Sequence, residues 1–226
     1  RAYRSIELFN QFNEVSEKEF DEIKFDNKYS KKSRSYKYIE KLFERDFETD
    51  ELNYARKVLK GWNLATDSEN RSASIGVCVL SSEWISEQGQ RIPQDPEISF
   101  RECVSELIET YGRVDPLWSE RNFIVRGNRK LSVQGGPDVL RAIYGRNDKE
   151  GDLKASGGDG LYIHVSWDKK GQQNSKSIHQ YGSATQDERS QHYHDQMNLY
   201  VDEEYKNTFF NQEDLKENSS SVYYVP

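Results

Sequence analysis

Methionine occurs once, cysteine twice and proline five times in this 226-residue chain. The cysteines, Cys78 and Cys103, stand far apart in mixed sequence with no CxxC pair, so neither a zinc site nor a dithiol redox motif is indicated. One disulfide in an oxidising compartment and two buried free thiols both fit that pattern. Long apolar runs are missing: none approaches the roughly 18 residues of a membrane span, and residues 1–20 lack the apolar stretch of a signal peptide. Because the chain opens on Arg1 rather than Met, its start is expected to be an internal cut or a processed end. Basic excess is missing as well. With 32 Lys+Arg against 39 Asp+Glu the formal net charge is -7, which argues against nucleic acid as the main partner, since phosphate binding needs a basic surface. Core-forming aliphatics are scarce, hydrophobic residues making up 34%. Aromatics at 12% compensate, because each ring buries a large area.

What is present reads as an α+β chain: a helical segment over 1–112, a turn-rich segment with a β-hairpin over 113–210, and a polar tail over 211–226. In "RAYRSIELFNQF", Ile6, Phe9 and Phe12 fall near one helical face with Tyr3 in line. Ser16 and Glu19 form a capping-box pattern before "KEFDEIKF". A polar loop, "KFDNKYSKKSRSY", precedes a helix in "KYIEKLFERDF". Asp50 is placed to cap "ELNYARKVLKGW", where Leu52, Ala55, Leu59 and Trp62 make a stripe and Gly61 sits near the end. Residues 73–85 are ambiguous, since Ile75, Val77 and Val79 alternate like a strand whereas "LSSEWI" suits a helix. Asp95 and Pro96 open a further helix, with Phe100, Val104, Leu107, Ile108 and Tyr111 inward and Gly112 as its stop. Beyond 113, Gly135 and Gly136 predict a tight turn, followed by a short helix over Asp138 to Tyr144. "LYIHVSW" reads as a strand, "DKKGQQNSK" as a turn and "SIHQYG" as the returning strand.

Three of the four histidines fall between residues 177 and 200. His192 and His194, two apart, share a face only on a strand. A metal site needs at least three suitable ligands, and neither HExxH nor a cysteine pair is present. The reading is therefore structural: His192 bonded to a backbone group, His194 facing water, and His164 and His179 as satisfied strand histidines. No metal and no cofactor is expected. No GxSxG elbow occurs, and "QGGPD" and "SGGDG" lack the Lys-Ser/Thr of a phosphate loop. The residues by themselves describe an α+β piece with no self-contained active site.

The order of motifs in the second half nonetheless resembles a known family. "QGGPDVLRAIYG", "GDGLYIHVSWDKKG", "SIHQYGSA", "HYHDQMNLY" and "EEYKNTFF" resemble the end of the β chain of penicillin-acylase-type N-terminal-nucleophile (Ntn) hydrolases. Within that family the wording looks most like the acyl-homoserine-lactone and aculeacin A acylase branch. Ser177, His179, Gln180, Tyr181 and Gly182 match one family motif. Ser190, His192, Tyr193, Asp195 and Gln196 match a second, with Gln191 where the family usually has Pro. "RAYRSIELF" and "ARKVLKGWNLATDSENRSAS" resemble the family's helical segment.

The resemblance implies late strands and helices of an αββα sandwich, and a periplasmic or secreted amidohydrolase, cut autocatalytically into α and β chains, with no cofactor. In such enzymes the N-terminal serine of the β chain is the nucleophile and its own α-amine the base. An asparagine completes the oxyanion site and a downstream arginine positions both. Here the first residue is Arg1, so the nucleophile is expected to be absent and the chain alone inactive. The resemblance places Arg1 in the register of the positioning arginine, with Leu8 and Phe9 as the apolar pair that follows and Arg4 as the fallback. The histidine motifs are architectural in the family. The implied partners are the remaining α and β segments and a small N-acyl substrate, with quorum-sensing lactones, lipopeptides and penicillins all open, and neither nucleic acid nor membrane. The alternative is a non-catalytic interaction module or pseudoenzyme relative reusing the fold.

Overall fold

The computed structural model describes residues 1–184 and 186–223. The chain forms two compact units, Arg1–Asp159 and Gly160–Pro226.

The first unit begins with helices α1 (Ala2–Phe9), α2 (Glu17–Lys24), α3 (Arg34–Ile39) and α4 (Asp50–Lys60), followed by the long pair α5 (Ala73–Gln88) and α6 (Pro96–Tyr111). The capping box of α2 forms as expected: the Ser16 side chain accepts from Glu19 N–H and Glu19 accepts from Ser16 N–H. Asp95 caps α6 ahead of Pro96, and Gly112 ends it in a left-handed conformation (φ 69°) open to few residues besides glycine. Two expectations shift. Thr49, not Asp50, caps α4, because its hydroxyl reaches Leu52 N–H at 3.2 Å. "KYIEKLFERDF" yields only the end of α3 and a 3₁₀ turn over Glu40–Leu42.

The ambiguous stretch 73–85 is wholly helical. Ala73, Ser74, Ile75, Gly76, Val77, Val79, Leu80 and Glu83 are all buried on α5, so over its first two turns no solvent face marks the helical period. Gly76 is required there: a β-carbon would lie 2.4 Å from the Trp62 ring. Ile39, Leu42, Leu59, Ile75, Phe100, Leu107 and Trp118 fill the core around it. Cys78 and Cys103 are bridged, tying α5 to α6 with Cα atoms 5.9 Å apart. The free-thiol alternative is thereby excluded.

A four-stranded sheet completes this unit: β1 (Asn122–Arg126), β2 (Arg129–Ser132), β3 (Ile143–Asn147) and β4 (Leu153–Gly158), in the order β2-β1-β4-β3. β1 runs antiparallel to β2 and parallel to β4, and β3 antiparallel to β4. The sequence predicts only turns and a helix here. No helix forms over 138–144: Asp138 is left-handed (φ 61°), and Ile143 and Tyr144 begin β3. The loop's amides bond outward instead, Arg141 N–H to Asp26 O at 2.9 Å and Gly135 N–H to Thr66 O at 2.9 Å.

In the second unit the expected hairpin forms, but its returning strand starts at Gln173, inside the stretch read as a turn, and ends at His179. β5 (Leu161–Trp167) pairs antiparallel with β6 (Gln173–His179), from Leu161↔His179 to Trp167↔Gln173. A short β7 (Lys206–Asn207) adds to β6, with α7 (Met197–Asp202) between them in sequence. The expected polar tail carries a short helix, α8 (Gln212–Glu217), capped by Asn211 and burying nothing. Residues 224–226 of that tail lie outside the described residues. Among the described residues, no helix is long and apolar enough to cross a membrane.

Candidate functional site

The expected positioning arginine lies at the foot of α1, beside the "QGGPD" loop. Arg1 Nη2 donates to the Tyr144 hydroxyl, and Arg1 Nε lies 3.6 Å from Asp138 Oδ1. The guanidinium carbon stands 5.7 Å from the centre of the Tyr144 ring, within reach of a cation–π attraction. Asp138 N–H also donates to the Tyr144 hydroxyl, at 3.4 Å. The phenol oxygen thus gathers two donors from different elements.

Arg4, three residues on, is differently engaged. Its Nε and Nη2 donate to Asp26 Oδ1 and Oδ2 at 2.9 and 2.6 Å, and Nη1 is 3.8 Å from Glu7. Hydrogen bonding to Asp26 raises the Arg4 pKa further above its already high range. A planar fork closed on a carboxylate has little left to offer a reacting group. Arg1 and Arg4, the first choice and the fallback from the sequence, thus have different partners.

The loop beneath Arg1 is fixed from several directions. The Tyr29 hydroxyl, buried in the core, donates to Pro137 O at 2.5 Å; burial pushes that phenol's pKa well up, which keeps it a donor. Trp118 Nε1 donates to Gly135 O at 2.8 Å. Gly135 adopts φ 98°, and a β-carbon there would lie 2.4 Å from Arg141 O, so the turn needs glycine. Below, Lys24 Nζ donates to Leu140 O and Asp159 Oδ2, each at 3.2 Å. Burial lowers the Lys24 pKa, and Asp159 partly offsets that. Asp159 Oδ2 also accepts from Ala142 N–H at 2.8 Å.

A cavity of about 510 Å³ opens in the same unit, walled by Val77, Trp84, Ile85, Ile143 and Leu153 with Arg121 and Glu106 at a polar end. Trp84 meets the Tyr144 ring edge to face, centroids 5.4 Å apart. Arg121 is 2% exposed and its Nη2 donates to Glu106 Oε1 at 2.5 Å. Nothing in the sequence singled out this pair, because an arginine at the head of a strand and a glutamate on a helix carry no spacing signal. The carboxylates of Asp148, Glu150 and Asp152 lie within 4.8 Å of one another. Lys130 Nζ already pairs with Asp152 and stands 3.8 Å from Glu150, supplying the counter-charge a cation would bring.

The histidine motifs belong to the second unit and lace together. Gln196 N–H donates to Tyr181 O at 2.8 Å, Ala184 N–H to His192 O at 3.0 Å, and His179 N–H to Gln196 Oε1 at 3.2 Å. Gly182 has no room for a side chain, since a β-carbon would lie 2.1 Å from His192 O. His192 Nδ1 pairs with Asp195 Oδ2 at 2.7 Å, a carboxylate rather than the expected backbone group. His194 does not simply face water, for its Nδ1 is buried.

No curated protein matches the chain significantly. Among solved structures, a thermostable penicillin G acylase from Alcaligenes faecalis, in an orthorhombic crystal form, aligns over 99% of this chain at 14% identity with a TM-score of 0.44. The chain spans 51% of that protein's length. The sequence model of the penicillin amidase family matches residues 1–217, nearly the whole chain, and the chain therefore belongs to the penicillin amidase family.

Proposed function

We propose that the chain is the C-terminal portion of the β chain of an Ntn acylase that hydrolyses an N-acyl amide. The observation that carries this reading is Arg1, held over the "QGGPD" loop with one N–H on a phenol and its Nε toward a carboxylate. In the complete enzyme, the N-terminal serine attacks the amide carbon while its own α-amine takes the hydroxyl proton. The tetrahedral oxyanion is held by preorganised donors, an asparagine among them. Arg1 then holds the amine and that asparagine in place. The serine, its amine and the asparagine belong to the rest of the protein, which also supplies the α chain and most of the acyl pocket. The two sheets described above become late strands of its αββα sandwich.

Acyl-homoserine lactones, lipopeptides and penicillins are the candidate substrates, the motif wording favouring the acyl-homoserine-lactone and aculeacin A branch. The Cys78–Cys103 bridge supports a periplasmic or secreted location, because disulfides persist in oxidising compartments. The second reading, a non-catalytic interaction module, draws on one feature: Leu161, Ile163 and Trp167 on β5 are 57, 55 and 64% exposed, an apolar face of the kind that binds partners.

Incubating the isolated chain and the complete protein with a chromogenic acyl anilide and with an N-acyl homoserine lactone separates these readings. Turnover is expected from the complete protein alone. Turnover by the isolated chain, surviving repurification, overturns the assignment as a portion without a nucleophile. An inactive complete protein favours the interaction module.

A further inference from the structure

The clamp on Arg1 has its own chemistry. An arginine with 44% of its side chain exposed, at the first turn of an eight-residue helix that buries nothing, is free to sample many rotamers. Two groups restrain it, and both are themselves fixed. Tyr144 stands on β3 with its ring against Trp84. Asp138 sits in a left-handed conformation, on a loop pinned through Pro137 O by the buried Tyr29 hydroxyl. A non-glycine residue in that region persists only where its surroundings over-determine it, which is common at functional sites.

We propose that Tyr144 and Asp138 are positioning residues for Arg1: Tyr144 fixes the direction of the guanidinium, and Asp138 sets how much of its charge reaches the reacting amine. This rests on the reading that Arg1 serves the acylase site. The contrast with Arg4 gives the reason for two weak partners. A bidentate carboxylate would hold Arg1 more firmly but close its fork, as Asp26 does to Arg4. The phenol oxygen takes a single N–H from Arg1, and the carboxylate 3.6 Å from Nε closes no bidentate fork, so the other guanidinium N–H groups are left for a further partner.

The charge argument has a definite sign. A nearby cation disfavours protonation of an amine, and a nearby carboxylate favours it. Asp138 therefore moderates the fall that Arg1 would impose on the amine's pKa. Other charged or titratable groups whose fields reach Arg1 are Lys24 and Tyr29.

Two substitutions test this in the complete, active acylase without disturbing the fold. Tyr144→Phe deletes one oxygen and keeps the ring on Trp84. Asp138→Asn keeps a residue type that tolerates the left-handed backbone. Losing a charge-assisted hydrogen bond that acts through Arg1 is expected to lower kcat about tenfold in Tyr144→Phe, with KM little changed. In an Arg1→Lys background the same change should add almost nothing. Asp138→Asn should move the acidic limb of kcat/KM to lower pH. If Arg1→Lys is itself fully active, the assignment of Arg1 fails, and this inference with it. If Arg1→Lys is slow while both other variants keep the parent rate and pH profile, only the inference fails. Additive losses from Arg1→Lys and Tyr144→Phe also overturn it, since Tyr144 would then act independently.

Discussion

In residues 1–159, one cluster of buried side chains runs from Tyr29 through α5 and α6 to Val139, with Trp118, Phe100, Ile39 and Leu107 at or near zero exposure. In residues 160–226, large buried side chains come down to Ile178, Tyr193, Met197 and Tyr200, while one face of β5 stays open. Both stretches carry many aromatics and few aliphatics. The first assembles them around a helix whose first two turns have no solvent face. The second is a thin hairpin whose order comes from backbone bonds and the bonds between the two histidine motifs. A segment of that size leaves a large share of its surface in water, so its stability rests on hydrogen bonds of modest net value.

Truncation should break the symmetry between them most visibly. Leu107→Ala, at a site with 0% exposure, is expected to cost about 2–5 kcal/mol. Trp167→Ser, on the open β5 face, is expected to stay within about 0.5 kcal/mol and to reduce binding of an apolar dye. Urea unfolding of the 226-residue chain measures both. Equal losses would mean that the β5 face is as well packed as the core.

Reduction should come next. Opening Cys78–Cys103, 25 residues apart, is expected to cost about 3 kcal/mol, with faster amide exchange over α5 and α6. Exchange over β5 and β6 should not change. A general loss of protection across both units would erase the contrast.

The smallest effect is electrostatic. Hydrogen bonding from Arg101 holds the Glu48 carboxyl down at about 2, against an ordinary value of 4.5. A depressed folded pKa stabilises above the unfolded value and loses that contribution as pH falls through the folded one. Acid titration between about pH 4.5 and pH 2 should weaken the first unit, and Glu48→Gln should flatten that slope slightly, the pair being exposed. An unchanged slope in the variant would show that Glu48 plays no part.

Local signals in the sequence reached those elements whose ends and faces are written in neighbouring residues. Ser16 with Glu19, Asp95 with Pro96, and Gly112 each mark a helix end through a bond made within four residues. The hairpin of β5 and β6 is equally local. What escaped was set at a distance. α5 lost its period because it is buried on nearly all sides. β1 through β4 are short, and β1 pairs in parallel with a strand some thirty residues on, so no turn announces it. The residues beside Asp138 predict a helix start, whereas its conformation follows from Tyr29, Asp26 and Thr66 gripping its loop. The candidate site was legible only through family wording at Arg1. Tyr144 and Asp138, more than a hundred residues away, could not be found from spacing.

The bridge between Cys78 and Cys103 also changes what a cut chain is. Between α5 and α6 the backbone runs through an exposed stretch, with Ile92 at 93% exposure and Arg91 beside it offering a tryptic site. The polymer between residues 78 and 103 is a closed ring, and cleavage after Arg91 opens that ring without dividing the molecule. The clipped protein would gain the mass of one water, migrate as a single species until reduced, and only then part into two peptides.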